Sequence, residues 1–263
     1  MDLKDLTFSV ADSIATITLN RPDAANALSL RMAQDLHRVA NRCNSDPAIR
    51  AVILTATGKM FCAGGDVLSF AEEGEGVSEL MRNMTTYLHM GIARFQRMNA
   101  PLIVAVNGTA AGAGMSIMLT GDVVIAASSA KFTMAYTGIG VSPDGSSTFF
   151  LPRIVGLLKA KEMMLLNPRY TAEEAKVLGL VTEVVPDEQV LPRAQDIARQ
   201  LASGPTRAYG AVKRLLIDSF NAPLETQMEY ETRAIAGLAQ ETFDAREGIK
   251  AFSEKRKPKF EGR

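Results

Sequence analysis

The sequence predicts an α/β fold. Short β-branched runs at 6–20, 51–55, 102–106 and 123–126 alternate with segments of helical period, glycine-rich loops follow the strands, and the strand pattern stops near residue 190. The 263 residues, 47% apolar, suffice for one large domain or two small ones without a disulfide or structural metal.

Thr7, Val10, Ile14, Thr16, Ile17 and Thr18 alternate around a break at Ala11-Asp12-Ser13, which predicts an antiparallel hairpin ending at Asn20-Arg21-Pro22. Ser29 is the N-cap of a helix whose Leu30, Ala33, Leu36 and Ala40 share one face until Asn44-Ser45-Asp46-Pro47 stops it. AVILT at 51–55 is a buried strand. Gly58-Lys59 leads into the loop FCAGGD (61–66), and the polar stretch EEGEGVSE (72–79) is expected to be mobile before a helix over 77–98. A strand at 102–106, a glycine-rich turn, a short helix and a strand at 123–126 follow. Thr171-Ala-Glu-Glu174 has the capping-box pattern, with its helix ending at Gly179 and a strand at 180–185 closing the α/β part. Three or four helices are expected beyond 190, dividing the chain into a core (1–189) and a helical C-terminal region (190–263). The basic tail KRKPK (255–259) reads as a solvated end, with phosphate binding as the alternative.

Composition excludes several function classes. Two cysteines and two histidines cannot supply a disulfide framework or a His/Cys zinc site. Twenty-nine basic residues balance 29 acidic ones, so there is no electrostatic footprint for nucleic acid. Asp2 and Asp5 stand where a secretory signal wants basic charge, so a cytoplasmic location is expected. The 24 residues from Met98 to Gly121 lack a charge, but Pro101, Asn107 and four glycines punctuate them. A buried strand and helix explain them better than a membrane span.

Two loops put small residues where backbone can approach a ligand: Phe61-Cys62-Ala63-Gly64-Gly65-Asp66, and Asn107–Gly114, which follows a strand and opens a helix. Neither has the GxGxxG spacing of a dinucleotide site. Read together, LNRPDAANAL (19–28), FCAGGD (61–66), AVNGTAAGAG (105–114), GIGVSPDGSSTFFLPRIVG (138–156) and TAEEAKVLGLVTEVV (171–185) resemble the crotonase, or enoyl-CoA hydratase/isomerase, superfamily in order and spacing over almost the whole chain. That resemblance implies a crotonase-type ββα spiral with a C-terminal helical subdomain that serves oligomerisation and closes the coenzyme A pocket. It implies a homotrimer or a hexamer built as a dimer of trimers. The expected substrate is an acyl-CoA thioester, with no separate cofactor because coenzyme A is part of the substrate, and no metal, nucleic acid or membrane partner.

By position, the resemblance places the oxyanion hole on the backbone N–H groups of Gly65 and Ala113, preorganised donors worth about 3–4 kcal/mol each. It places coenzyme A and substrate contacts on Ala25, Ala27, Ala63, Gly64, Asp66, Leu68, Gly112, Tyr136 and Ile139; Asp66 reads equally as a loop cap. Hydratases of the superfamily hold a water between two glutamates, whose positions here match Ser116 and Tyr136, neither a good base at neutral pH. Asp144, in the VSPDGSS turn, falls where relatives that isomerise Δ3 to Δ2 enoyl-CoA, and the ring-opening isomerases of phenylacetate breakdown, carry an acidic base. The expected reaction is therefore isomerisation with Asp144 as general base, walled by Ile139, Val141, Phe149 and Phe150. The plain alternative for Asp144 is a turn residue capping the helix that starts near Ser146.

Three rival readings remain: another reaction of the superfamily through the same aspartate, an aryl-CoA dehalogenase with Asp144 as nucleophile, or an idle coenzyme A- or RNA-binding member. The dehalogenases support their aspartate with a tryptophan and a histidine; this chain has no tryptophan, and Tyr136 stands at that position. His89 and the methionines at 81, 84, 90 and 98 are candidates for a soft acyl-pocket wall, and Asp122 for a structural acceptor.

Overall fold

A computed structural model describes all 263 residues. The chain opens with the expected hairpin, β1 (Leu6–Ala11) antiparallel to β2 (Ile14–Leu19). Asp12 and Ser13 both take positive φ, the geometry a two-residue turn needs to match strand twist. The Ser29 hydroxyl accepts the Met32 N–H at 3.0 Å to cap α1 (Leu30–Ser45). The chain then builds a repeating unit. Strand β3 (Ala51–Ala56) is followed by the short β4 (Met60–Cys62) and the helices α2 (Val67–Glu73) and α3 (Val77–Arg97). Strand β5 (Leu102–Val106) is followed by β6 (Thr109–Ala111) and α4 (Ala113–Met118). Strand β7 (Val123–Ala127) is followed by β8 (Lys131–Thr133) and, after one 3-10 turn, by α5 (Ser147–Val155).

The long strand of each unit enters one sheet and the short strand another, so two sheets grow side by side. The first has the order β1-β2-β3-β5-β7 and the second β4-β6-β8, with consecutive units parallel. This is the ββα spiral. After α6 (Leu157–Leu166), the short β9 (Tyr170–Thr171) closes the second sheet antiparallel to β8. Helix α7 (Ala172–Val177) starts with the predicted capping box, and β10 (Glu183–Val185) completes the first sheet beside β7. The central strands β3 and β5 are buried along almost their whole length, as parallel strands covered on both faces must be.

Helix α1 crosses α3 closely at Gly91, where an added Cβ would lie 3.4 Å from His37 backbone. Of the four C-terminal helices, α8 (Val190–Ala202) lies against the sheet through Val190, Ala194, Ala198 and Ala202, an i, i+4 stripe of small side chains. It thereby shares the core of the spiral. Helices α9 (Thr206–Ser219), α10 (Leu224–Glu241) and α11 (Phe243–Ser253) extend outward. Buried Lys213 anchors α9 by bonding Asp122 at 2.7 Å and the Phe95 carbonyl at 2.8 Å. Burial depresses its pKa, and the Asp122 charge opposes that shift. Asp122 also accepts the Leu102 N–H at 2.7 Å, so it is the structural acceptor expected of it.

Three local expectations change. The polar stretch 72–79, expected to be mobile, forms the end of α2, one 3-10 turn and the start of α3, the last beginning at Val77 as expected. The strand expected over 180–185 covers only 183–185. The basic tail is exposed but held: Arg256 bonds both carboxylate oxygens of Glu247, and Arg50 bonds the Phe260 carbonyl at 3.2 Å. No helix is long and apolar enough to cross a membrane.

Candidate active site

The two glycine loops meet. The 25–28 and 63–66 segments are stitched by three backbone bonds: Ala63 N–H to the Ala25 carbonyl (3.1 Å), Leu28 N–H to Gly64 (2.7 Å) and Asp66 N–H to Leu28 (3.0 Å). Gly64 (φ +112°) and Gly112 (φ +51°) pack back to back. A Cβ on Gly112 would come within 3.2 Å of the Gly64 Cα, which is why neither position tolerates a side chain. Gly65 N–H donates to no backbone or side-chain acceptor. Ala113 is the first residue of α4, where an N–H has no acceptor within the helix. Both residues border one cavity of about 210 Å³.

Asp144 borders the same cavity. The rest of the wall is mainly apolar, including Leu28, Phe70, Met81, Met84, Ile139 and Val141. Two residues with unpaired N–H groups and one aspartate thus border one small, mostly apolar space, a set of groups suited to proton abstraction next to a carbonyl. No three His, Cys, Asp or Glu side chains converge to hold a metal ion. The neighbouring Cys62 is no nucleophile, since burial pushes its thiol up to about 11.

The turn carrying Asp144 is held from several sides. Its backbone carbonyl accepts from Ser147 N–H (3.1 Å) and Ser147 Oγ (2.8 Å), so the main chain starts α5 and the carboxylate takes no part in it. The capping alternative therefore assigns the wrong atoms: the side chain caps nothing. Instead Asp144 Oδ1 accepts from the Tyr136 hydroxyl at 2.6 Å, and Tyr136 Oη lies 2.7 Å from Ser116 Oγ. Burial, then the Asp144 charge, push the Tyr136 phenol far above its ordinary pKa, so the hydroxyl keeps its proton. Gly145 (φ +58°) sits over Ser116, where an added Cβ would meet the Ser116 Cβ at 2.8 Å. The short serine side chain makes room for the aspartate turn. On the far side, Gly145 N–H donates to His89 Nε2 at 3.2 Å. His89 is thus a strut beneath the turn, a role that only the fold makes visible because 56 residues separate the two.

Tyr136, Gly65, Ala113 and Ile139 line the cavity, as do Met81 and Met84. Phe149 and Phe150, expected in the same wall, instead border a second cavity of about 450 Å³ on the other side of Asp144, together with His89, Gln96 and Arg97. Leu68 points outward from α2 at 78% exposure, and Met98 is buried in the core away from the cavity. Asp66 is engaged as a loop cap: it pairs with Arg21 at 3.0 Å and accepts the Ser69 N–H at 3.3 Å. Burial alone would raise its carboxyl, but these bonds outweigh burial and hold it below the ordinary aspartate range. Asp66→Asn should cost about 1–3 kcal/mol, at about 2–4 °C of Tm per kcal/mol. Because the folded-state pKa is depressed, this stabilisation is complete above the unfolded carboxyl's pKa and fades as pH falls through the folded value. Thermal unfolding should separate wild type from variant at neutral pH and bring them together in acid.

A sequence profile described as "Enoyl-CoA hydratase/isomerase" matches residues 9–263. The sequence is 39% identical, over the whole of both chains, to a Rhodobacter capsulatus protein named "Probable enoyl-CoA hydratase". It is 37% identical, over 97% of each chain, to the 1,2-epoxyphenylacetyl-CoA isomerase of Escherichia coli K12. The fold matches the crystal structure of an enoyl-CoA hydratase from Bacillus anthracis with a TM-score of 0.91 and 33% identity, covering 99% of this chain and 100% of that one. These relatives' names differ in reaction type, so the acids and bases of this chain must discriminate between them.

Proposed function

The chain belongs to the enoyl-CoA hydratase/isomerase family, and from that premise we propose that it shifts a double bond in an enoyl-CoA thioester, with Asp144 as the single general base. The observation that carries this reading is the shared cavity: Asp144 borders the same space as Gly65 and Ala113, whose backbone N–H groups have no protein acceptor. Ser116 and Tyr136, at the positions that resemble the hydratase glutamates, are engaged with each other 2.7 Å apart. Hydration needs a group to activate water and another to deliver a proton; isomerisation needs one base that takes a proton and returns it.

In the reaction, the thioester oxygen sits between the two N–H donors. The Asp144 carboxylate takes a proton from C2 of a 3-enoyl thioester, and the electron pair of the broken C2–H bond spreads onto the thioester oxygen as a dienolate. The donors hold that charge where it develops. The protonated carboxyl then gives its proton to C4, the carbonyl re-forms and the double bond lies between C2 and C3. The wall of Met81 and Met84 suits an acyl chain because unbranched thioethers adapt to its shape. Coenzyme A is assigned to the stitched 25–28 and 63–66 loops, whose Leu28 and Gly65 border the cavity. Exposed Leu158 (83%) and Leu166 (75%) on α6 and Phe252 (87%) on α11 support an assembly of several copies, as a trimer or a dimer of trimers.

The test is a side-by-side assay of purified protein with 3-enoyl- and 2-enoyl-CoA thioesters. Conversion of the first without appreciable hydration of the second is expected. Robust hydration would overturn the single-base reading.

A further inference from the structure

The Tyr136 hydroxyl lies within hydrogen-bond distance of both the putting-and-taking carboxylate and a buried serine, yet the proton transfer itself does not require it. Ser116 is fully buried and Tyr136 is 9% exposed. With Tyr136 donating to Asp144 Oδ1 at 2.6 Å, the Ser116 hydroxyl has two acceptors in reach, the Tyr136 oxygen at 2.7 Å and the Gly112 carbonyl at 3.4 Å, and the first is much the closer. The result is a one-way chain, Ser116 O–H to Tyr136 O–H to Asp144 Oδ1. Oδ2 of Asp144 has no protein partner, while the carboxylate as a whole borders the cavity that holds the two N–H donors.

We propose that Tyr136 is a positioning residue for the reaction proposed above: it grips one oxygen of Asp144 so that the other alone carries the proton from C2 to C4. The inference rests on the isomerase reading and adds a division of labour within the carboxylate. The C2–H bond breaks as the Oδ2–H bond forms, and the Oδ2–H bond breaks as the C4–H bond forms, so Oδ1 keeps its bond to Tyr136 throughout. A carboxylate free to rotate would present either oxygen, and fewer of its orientations would reach both carbons.

The experiment is Tyr136→Phe, which keeps the ring and deletes the hydroxyl. Loss of a hydrogen bond to a charged group should lower kcat about 10- to 100-fold and change KM much less. Ser116→Ala, which removes the hydroxyl beside the Tyr136 oxygen, should lower kcat in the same direction by less. In an Asp144→Asn background, Tyr136→Phe should cause little further loss, because its effect passes through the aspartate. An unchanged kcat, a loss confined to KM, or a full further loss in the Asp144→Asn background would overturn the proposal and leave Tyr136 as pocket wall. A melting temperature close to wild type in the phenylalanine variant separates these results from misfolding. Failure of the isomerase reading is distinct: the wild type would then not convert the 3-enoyl thioester, and the cycle would be read on the thioester reaction it does perform. A protein whose every rate is indifferent to Asp144 overturns both.

Discussion

Asp144→Asn should lower kcat for the 3-enoyl thioester by about 10²–10⁴-fold, the usual contribution of a positioned general base, with KM nearly unchanged. Asparagine has the shape of aspartate and its carbonyl oxygen can still accept from Tyr136, so the turn keeps its place. The bonds that start α5 come from the residue 144 backbone carbonyl to Ser147, and no side-chain substitution touches them. Thermal stability should therefore stay close to wild type, and the loss can be assigned to chemistry. The oxyanion donors are untouched, so a saturated acyl-CoA should bind as well as before. A substrate deuterated at C2 gives a second reading: in the wild type a single shuttling acid carries part of the label to C4, and in the variant that transfer stops. Isomerisation that persists within a few-fold of wild type would place the base elsewhere.

Much of this architecture is legible in the sequence because the long strands are unambiguous. AVILT and LIVAV are continuous apolar runs, and the observed β3 and β5 begin where those runs begin. The second sheet is not legible. Its strands span three residues each in β4, β6 and β8 and two in β9, too short for any alternation to register, so Thr109–Ala111 reads as part of a glycine-rich turn. The stretch at 72–79 misleads for a different reason: its charges mark an exposed surface, and an exposed surface is compatible with helix. In the site, Gly65, Ala113 and Asp144 are readable from motif position. What joins them is not. Ser116, Tyr136 and Asp144 are 20 and 8 residues apart along the chain and meet only because α4 and the 3-10 turn face the same cavity. Nor does a Pro-Asp-Gly sequence reveal that its main chain starts a helix while its carboxylate bonds Tyr136 instead, or that His89 supports the turn from beneath.

Ala113→Pro should be nearly as damaging as loss of the base, and it tests the other half of the mechanism. The donor at this position is a backbone N–H, which most side-chain substitutions leave in place; proline removes it. At the first position of a helix proline is tolerated, because its fixed φ suits the helix and the missing N–H has no intrahelical acceptor. Ala113 is that first residue of α4, and Gly112 before it has no Cβ to meet the proline ring. The bonds that locate the loop, Gly112 N–H to Thr133 (3.2 Å) and Ser116 N–H to Gly112 (3.0 Å), do not involve the Ala113 N–H. Removing one such donor should reduce kcat about 10²–10³-fold, a barrier increase of about 2.7–4 kcal/mol. The ring would also occupy the space into which the N–H pointed, so binding of the thioester should weaken as well, unlike in Asp144→Asn. Ala113→Gly is the control: it keeps the N–H and deletes only a methyl group that is 2% exposed, so its kcat should stay within a few-fold of wild type. If the proline variant folds, with an unchanged circular dichroism spectrum, and still turns over like the glycine variant, the dienolate charge is held by something other than the Ala113 N–H. Asp144 would then be acting on a thioester oriented differently from the one described here.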